Sequence, residues 1–502
     1  MKFMATLWSE QMKSNIKNLV LLPALIAGLG LIPAARVTAQ TITTVHNFTF
    51  GSDGGNPNAG LILSSNTLYG TAVYGGNSGN GTVFAVNTDG TGATNLHSFT
   101  TVVGSPQTNS DGRFPVGDLI LSGNTLYGTA ESGGISANGT VFKVNTDGSG
   151  FTILHSFTAT PDPPYTNSDG ASPQAGLILS GTTLYGTARF GGSAGSGAVF
   201  AVNTNGIVFT NLHSFMATSF INPVNSDGAN PSGRLTLSGN ILYGTANYGG
   251  SSGDGTVFAV NTDGMGFTNL HSLDYFNDGV NPHAGLILSG NTLYGTAELG
   301  GDSRNGSVFA VNTNGIGFTN LHTFTSTSGS PPTNSDGCLP FAGLMLLGNT
   351  LYGTANQGGS SGKGAVFAIN TNGTGFTNLH SFTAPSGPSL TNSDGTVPFA
   401  GLILSGTTLY GTTEDGGSLG FGTVFSLSLG SVSAPQLTII SSGVNVILTW
   451  PTNAAGFTLQ STTNLVSPAV WSTVSPGPVI VNGQNAVTNP VSGARQFYRL
   501  SQ

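Results

Sequence analysis

A four-residue phrase repeated seven times, four strand-like apolar segments around every copy, and glycine-bearing tight turns between the segments predict an all-β protein. The expected architecture is a seven-bladed β-propeller closed by an N-terminal strand and followed by a small C-terminal β-sandwich. The phrase is Leu-Tyr-Gly-Thr, with its tyrosines at Tyr69, Tyr127, Tyr185, Tyr243, Tyr294, Tyr352 and Tyr410; every spacing is 58 residues except the 51 between Tyr243 and Tyr294. With 77 glycines among 502 residues and 6% charged, yet 38% apolar, the chain can both bury a core and make many turns, which excludes disorder.

Taken in order, residues 1–39 read as a signal peptide. Lys13 and Lys17 precede an apolar run at 19–32, and Val37-Thr38-Ala39 supplies small residues before Gln40, so cleavage is expected after Ala39; a start at Met12 would give a leader of more usual length. The run is short for a membrane span, and no later segment could cross a bilayer as a helix. Residues 40–430 form the repeat body. Its first repeat shows the four segments: Gly60-Leu61-Ile62-Leu63, Thr67-Leu68-Tyr69-Gly70-Thr71, Thr82-Val83-Phe84-Ala85-Val86 and Thr94-Asn95-Leu96-His97-Ser98-Phe99. Across the repeats, Ser-Gly-Asn or Ser-Gly-Thr, then Gly-Gly, then Asn-Thr-Asp-Gly or Asn-Thr-Asn-Gly turns typically separate these segments, the last supplying the positive φ that hairpins need. Thr43-Thr44-Val45-His46-Asn47-Phe48 is an extra copy of the fourth segment, and the seventh repeat lacks one, so the N-terminal strand is expected to complete the last blade and leave no open edge. An open β-solenoid is the alternative. Residues 434–502 contain six or seven short alternating segments, in which Trp450, Trp471 and Tyr498 are expected to fill the core.

The longer phrase Leu-Tyr-Gly-Thr-Ala-x-x-Gly-Gly-x-x-Gly-x-Gly-Thr-Val-Phe-Ala-Val-Asn-Thr-Asp-Gly resembles the GloVer-type (Gloeo/Verruco) tandem repeat family of exported bacterial proteins, over residues 43–428. The resemblance implies secretion or cell-surface association and assigns no catalytic residues to the repeat. Members of that family carry varied anchoring modules, whereas this chain lacks a terminal hydrophobic helix with a basic tail. The C-terminal pattern, Trp450-Pro451 followed by Phe457-Thr458-Leu459-Gln460-Ser461-Thr462, Trp471 and Phe497-Tyr498-Arg499-Leu500, resembles fibronectin-like modules.

Loss of residues 1–39 removes Lys2, Lys13, Lys17, Arg36 and Glu10 and leaves eight basic and nineteen acidic residues, a net charge of −11. Nucleic acid is therefore excluded as a partner class. Cys338 stands alone, so no intrachain disulfide forms. Seven fourth-segment histidines (His46, His97, His155, His213, His271, His322, His380) read as structural, because equivalent rim positions cannot converge on one ion. Asp53, Asp111, Asp169, Asp227, Asp278, Asp336 and Asp394, each before a glycine, read as turn residues or as acceptors for those histidines. No metal or other cofactor is expected, and no catalytic group stands out.

Residues that break the repeat carry the functional information, since one site has no need of seven copies. Asp118 and Arg234 replace a glycine present in the other five repeats, and His283 stands two positions earlier than that glycine in its own repeat. Glu131, Arg189, Glu298, Glu414 and Asp415 follow the second segment, with Tyr74, Phe190 and Tyr248 alongside. Two readings stay open: drift in exposed loops, or a polar, partly aromatic mouth for an uncharged ligand such as a glycan. The function expected is a secreted, monomeric, non-enzymatic binding or cell-surface interaction module, for a glycan or a surface protein. The alternative is a polysaccharide-active hydrolase or lyase using two of these acids.

Overall fold

The computed structural model describes residues 40–161, 163, 165–218, 223–387, 390–430, 436–451, 457–464, 470–481, 484–490 and 496–501. The proposed leader, residues 1–39, lies outside them. Every regular element among the described residues is a strand.

The repeat body is built of four-stranded antiparallel sheets, seven of them between residues 41 and 428. In sheet I the strands are a (Ile62–Ser64), b (Thr67–Ala72), c (Thr82–Asn87) and d (Thr94–Ser98). Sheets II to VI repeat that order at 120–156, 178–214, 236–272, 287–323 and 345–381. Sheet VII takes a, b and c from 403–428 and its fourth strand from Thr41–Asn47, which runs antiparallel to Thr423–Ser428 with Thr41 opposite Ser428 and Asn47 opposite Thr423.

Strands b and c are buried on both faces, because each sheet is covered by a neighbour on either side. The glycine of Leu-Tyr-Gly-Thr follows from that packing. Gly186 lies opposite Phe200, and a Cβ on it would sit 2.6 Å from Phe200 Cζ and 2.8 Å from Leu177 Cδ2. The phenylalanine ring crosses the strand at the one residue without a side chain.

Adjacent sheets share apolar clusters. One joins Tyr69, Val83 and Phe99 of sheet I to Leu119, Leu126 and Phe142 of sheet II. The series continues around the body, and Phe48, Tyr410 and Val424 pack with Leu61, Leu68 and Phe84, joining sheet VII back to sheet I. A strand-b threonine adds a buried hydrogen bond to the next sheet: Thr129 Oγ1 donates to Ala175 O at 3.0 Å, and Thr412 Oγ1 donates to Ala59 O at 3.1 Å across the closure. The sheets therefore pack in a closed, propeller-like cycle.

The expected pairing of histidine with aspartate occurs in all seven copies, with Nε2 to Oδ2 distances between 2.8 and 3.1 Å. A β-bulge in strand d makes it possible. Between sheet III strands c and d, Val199 faces His213 and Phe200 faces Asn211, so one residue is skipped and the imidazole is re-aimed towards Asp227. Five of these imidazoles also stack on a phenylalanine of the next sheet, as His155 does on Phe209 at 3.8 Å between centroids.

Beyond the repeats, strands Thr438–Ser442, Asn445–Pro451, Gln484–Pro490 and Val479–Val481 form one sheet, and Ser472–Thr473, Thr458–Thr462 and Phe497–Ser501 a second. Leu448, Trp450, Leu459, Val474 and Val487 form their shared core, with Tyr498 packed against it. Trp471 departs from expectation. It is half-buried outside that core, with the Arg499 guanidinium 4.3 Å from its ring centre, because the neighbouring Val474 fills the interior instead.

Candidate ligand-binding face

Antiparallel order puts the a–b and c–d hairpins at one end of every sheet and the b–c loops at the other, together with the connections to the next sheet. At this second end the two kinds of loop are bridged, Gly55 to Tyr74, Ala171 to Phe190 and Ala229 to Tyr248. All of the repeat-breaking residues fall here.

Nearest the axis is a ring of seven equivalent residues: Gly60, Asp118, Gly176, Arg234, Gly285, Gly343 and Gly401. A Cβ on Gly401 would lie 3.2 Å from Gly343 O, and one on Gly176 2.8 Å from Asp118 Cβ, so neighbours in this ring touch. Asp118 Oδ1 accepts the Gly60 N–H at 2.6 Å. The two charged residues come with a second change, since the residue before each is glycine where the other five sheets have alanine. A Cβ on Gly117 would sit 2.5 Å from Thr129 Oγ1, and one on Gly233 2.6 Å from both Ala284 O and Thr245 Oγ1. A side chain at either position would crowd the strand-b threonine and the neighbouring backbone.

Two residues before the axis ring stand Asn58, Val116, Gln174, Ser232, His283, Phe341 and Phe399, one per sheet. They meet the first residues of the b–c loops. Gln174 Nε2 donates to Glu131 Oε1 at 2.8 Å, while its Oε1 accepts from Arg189 Nη1 at 3.3 Å. His283 Nε2 lies 2.9 Å from Glu298 Oε2, its Nδ1 lies 2.7 Å from Asn247 Nδ2, and its ring stacks on Phe341 at 4.3 Å. With the buried Asn247 amide donating to Nδ1, the proton sits on Nε2 and points at Glu298; both nitrogens are engaged. Asn58 donates to Glu414 at 3.4 Å and Asn56 to Asp415 at 3.0 Å.

Glu414 is held above the usual carboxyl range, first by burial and then by the Asp415 charge, against a smaller opposing effect of Asn58. Burial likewise raises Asp415, opposed by Lys363 and Asn56. Tyr74, Phe190 and Tyr248 are exposed at 40%, 40% and 36%. The face thus joins hydrogen-bonding groups to open aromatic rings. Every ion pair among the described residues has histidine as its basic member, so Arg189 and Arg234 have no carboxylate partner there.

Sequence reasoning named Glu131, Arg189, His283, Glu298, Glu414 and Asp415 but not Asn58, Gln174, Asn247 or Phe341, which position them. The signal was available in the variable residue of Pro-x-Ala-Gly, which is read as drift when taken one repeat at a time. Also unnamed was Arg113, whose guanidinium lies 4.5 Å over the Phe114 ring. No cluster of three or more histidine, cysteine, aspartate or glutamate side chains suited to a metal occurs among the described residues. Cys338 is buried, which with the Asp336 charge pushes its thiol up to about 11. A shallow depression of about 280 Å³ lies away from this face, on the outer edge near Tyr185, Val208 and Leu212.

Structural comparison finds oligogalacturonate lyase from Vibrio parahaemolyticus at 10% identity and a TM-score of 0.46, covering 78% of this chain and 94% of that one. A puromycin-hydrolyzing peptidase from Mycobacterium tuberculosis matches at 11% identity and 0.45, covering 78% and 57%. A putative 6-phosphogluconolactonase from Bacteroides uniformis matches at 15% and 0.42, covering 88% and 99%. No curated protein sequence matches the chain. The Gloeobacter/Verrucomicrobia repeat matches four times, at residues 26–167, 107–226, 163–339 and 217–425, and these overlapping spans take in most of the repeat body: the chain belongs to the Gloeobacter/Verrucomicrobia repeat family.

Proposed function

We propose that this protein is an exported seven-bladed β-propeller with a C-terminal β-sandwich module, and that it binds a glycan, without converting it, at the end carrying the repeat-breaking residues. The observation that carries this reading is the placement of three exposed rings, Tyr74, Phe190 and Tyr248, at equivalent loop positions beside a hydrogen-bonded band of side chains. Sugar rings present apolar faces to aromatic side chains and hydroxyls to carboxylates and amides. His283 supports binding over catalysis, since neither ring nitrogen is free to take a proton from a ligand.

A second reading, hydrolysis or elimination, is favoured by one observation: Glu414 is biased towards its protonated form, as a general acid requires. One experiment separates the two. The purified chain is applied to an array of polysaccharides and released oligosaccharide is measured in the same wells. Retention without release, lost in a Tyr74→Ala/Phe190→Ala variant, is expected. Release abolished by Glu414→Gln would transfer the assignment to an enzyme, and no retention on any glycan would overturn both readings.

A further inference from the structure

The repeat body holds six basic residues against nineteen acidic ones; five of the six stand at this end, Arg113, Arg189 and Arg234 on the consecutive sheets II, III and IV, and Arg304 and Lys363 in the b–c loops of sheets V and VI. Among the acids of these loops, Glu298 and Asp302 lie on sheet V and Glu414 with Asp415 on VII, while Asp254 in the sheet IV loop accepts the Tyr275 N–H at 3.0 Å. The acids of sheet II are already occupied, Asp118 by the Gly60 N–H and Glu131 by Gln174.

Two of the arginines are held in one posture. Arg113 lies 4.5 Å over the Phe114 ring and Arg189 5.1 Å over the Phe190 ring, each from guanidinium carbon to ring centroid. Each is steered by a single glutamine: Arg113 Nη1 donates to Gln107 Oε1, and Arg189 Nη1 to Gln174 Oε1. The Nε of each is buried with no acceptor, and neither guanidinium has a carboxylate within ion-pair distance among the described residues. A guanidinium carries five donors in a planar fork, so most of the hydrogen-bonding capacity at both positions is unspent. A flat, stacked, pre-oriented fork matches a planar carboxylate, which it binds through two parallel hydrogen bonds. In a protein with so few cations, unpaired arginines on adjacent sheets beside open rings fit a ligand that brings its own carboxylates.

Building on the glycan-binding reading, we infer that the sheet II to IV side of this face selects acidic glycans, polymers of hexuronic acid, with Arg113 and Arg189 reading carboxylates one sheet apart. Phe190 and Tyr248 contact the sugar rings, and Arg234 adds positive charge nearer the axis.

The test compares retention of the full chain on alginate, a linear hexuronan, with retention on alginate esterified at its carboxyls, on a neutral β-glucan and on dextran sulfate. Alginate is expected to be held more tightly than its ester by about tenfold or more, with the advantage shrinking as salt is raised. Arg113→Gln/Arg189→Gln should remove that advantage, so that alginate is retained no better than its ester. Arg113→Lys/Arg189→Lys, which keeps charge but not the planar fork, should remove most of it. Thermal unfolding of each variant confirms an intact fold. Equal retention of acid and ester, or an advantage that survives the glutamine variant, overturns the inference while glycan binding stands. Preference for dextran sulfate over alginate overturns the carboxylate assignment. No retention on any of the four polymers defeats the glycan reading itself.

Discussion

His155 works through two different surfaces. Its Nε2 lies 2.8 Å from Asp169 Oδ2, and its ring face lies on Phe209 of the adjoining sheet. Asp169 also accepts the Thr158 N–H at 3.0 Å and the Thr158 hydroxyl. Burial alone would raise this carboxyl, but the bonds from His155 and Thr158 together outweigh it and hold the group below its usual value; Asp336 and Asp394 behave alike. Replacing Asp169 with Asn, which leaves His155 facing an amide, is expected to cost about 1–3 kcal/mol in chemical denaturation. The pH dependence has a definite sign. A carboxyl depressed in the folded state contributes stability above its unfolded value of about 3.9, and that contribution is lost as pH falls through the lower folded value. Melting temperature should therefore fall in acid below about pH 4, and fall less in an Asp169→Asn/Asp336→Asn/Asp394→Asn variant; equal acid sensitivity would count against these three groups. The histidine and aspartate sets were legible because seven copies announce a structural duty. Asn58, Gln174 and Asn247 were not, since a residue that serves one sheet only leaves no periodic trace.

Within a single sheet, shape decides more than polarity. Strand a was expected to include Gly60 and Leu61, yet it begins at Ile62, because the chain before it is drawn against the neighbouring sheets, with Ala59 O accepting from Thr412. No local propensity encodes that contact. The glycine opposite the strand-c phenylalanine is legible as a repeat yet acquires its reason only from packing. Gly186→Ala is expected to destabilise by about 1–3 kcal/mol through overpacking against Phe200 and Leu177, measured as a lower denaturation midpoint. In the C-terminal unit, size alone made Trp471 look like a core residue. Trp450→Ala should cost about 3–5 kcal/mol and Trp471→Ala much less, both read from unfolding of that unit; equal losses would return Trp471 to the core.

Across the molecule, the missing fourth strand of the last repeat and the surplus one at the start made closure readable by counting. The composition of the end carrying the repeat-breaking residues was harder to read, because it is assembled from seven separated places in the chain, each unremarkable alone. Deleting residues 41–47 leaves the Thr423–Ser428 edge unpaired and strips Asp53 of His46. Such a protein is expected to melt at lower temperature and to self-associate through the bared edge, both visible by calorimetry and size-exclusion chromatography. Unchanged behaviour would mean that the apolar clusters alone hold the cycle.

That seam also imposes an order in time. Sheets I to VI can each form as soon as their own four strands have been made, whereas Thr41–Asn47, the earliest of all, has no partner until Thr423–Ser428 exists. A chain cut short anywhere before residue 423 keeps a loose first strand, however well its other sheets fold. The closure is thus a completeness check written into the topology: only a polypeptide made through Thr423–Ser428 can cover Thr41–Asn47, and a product truncated before it presents that strand to a protease.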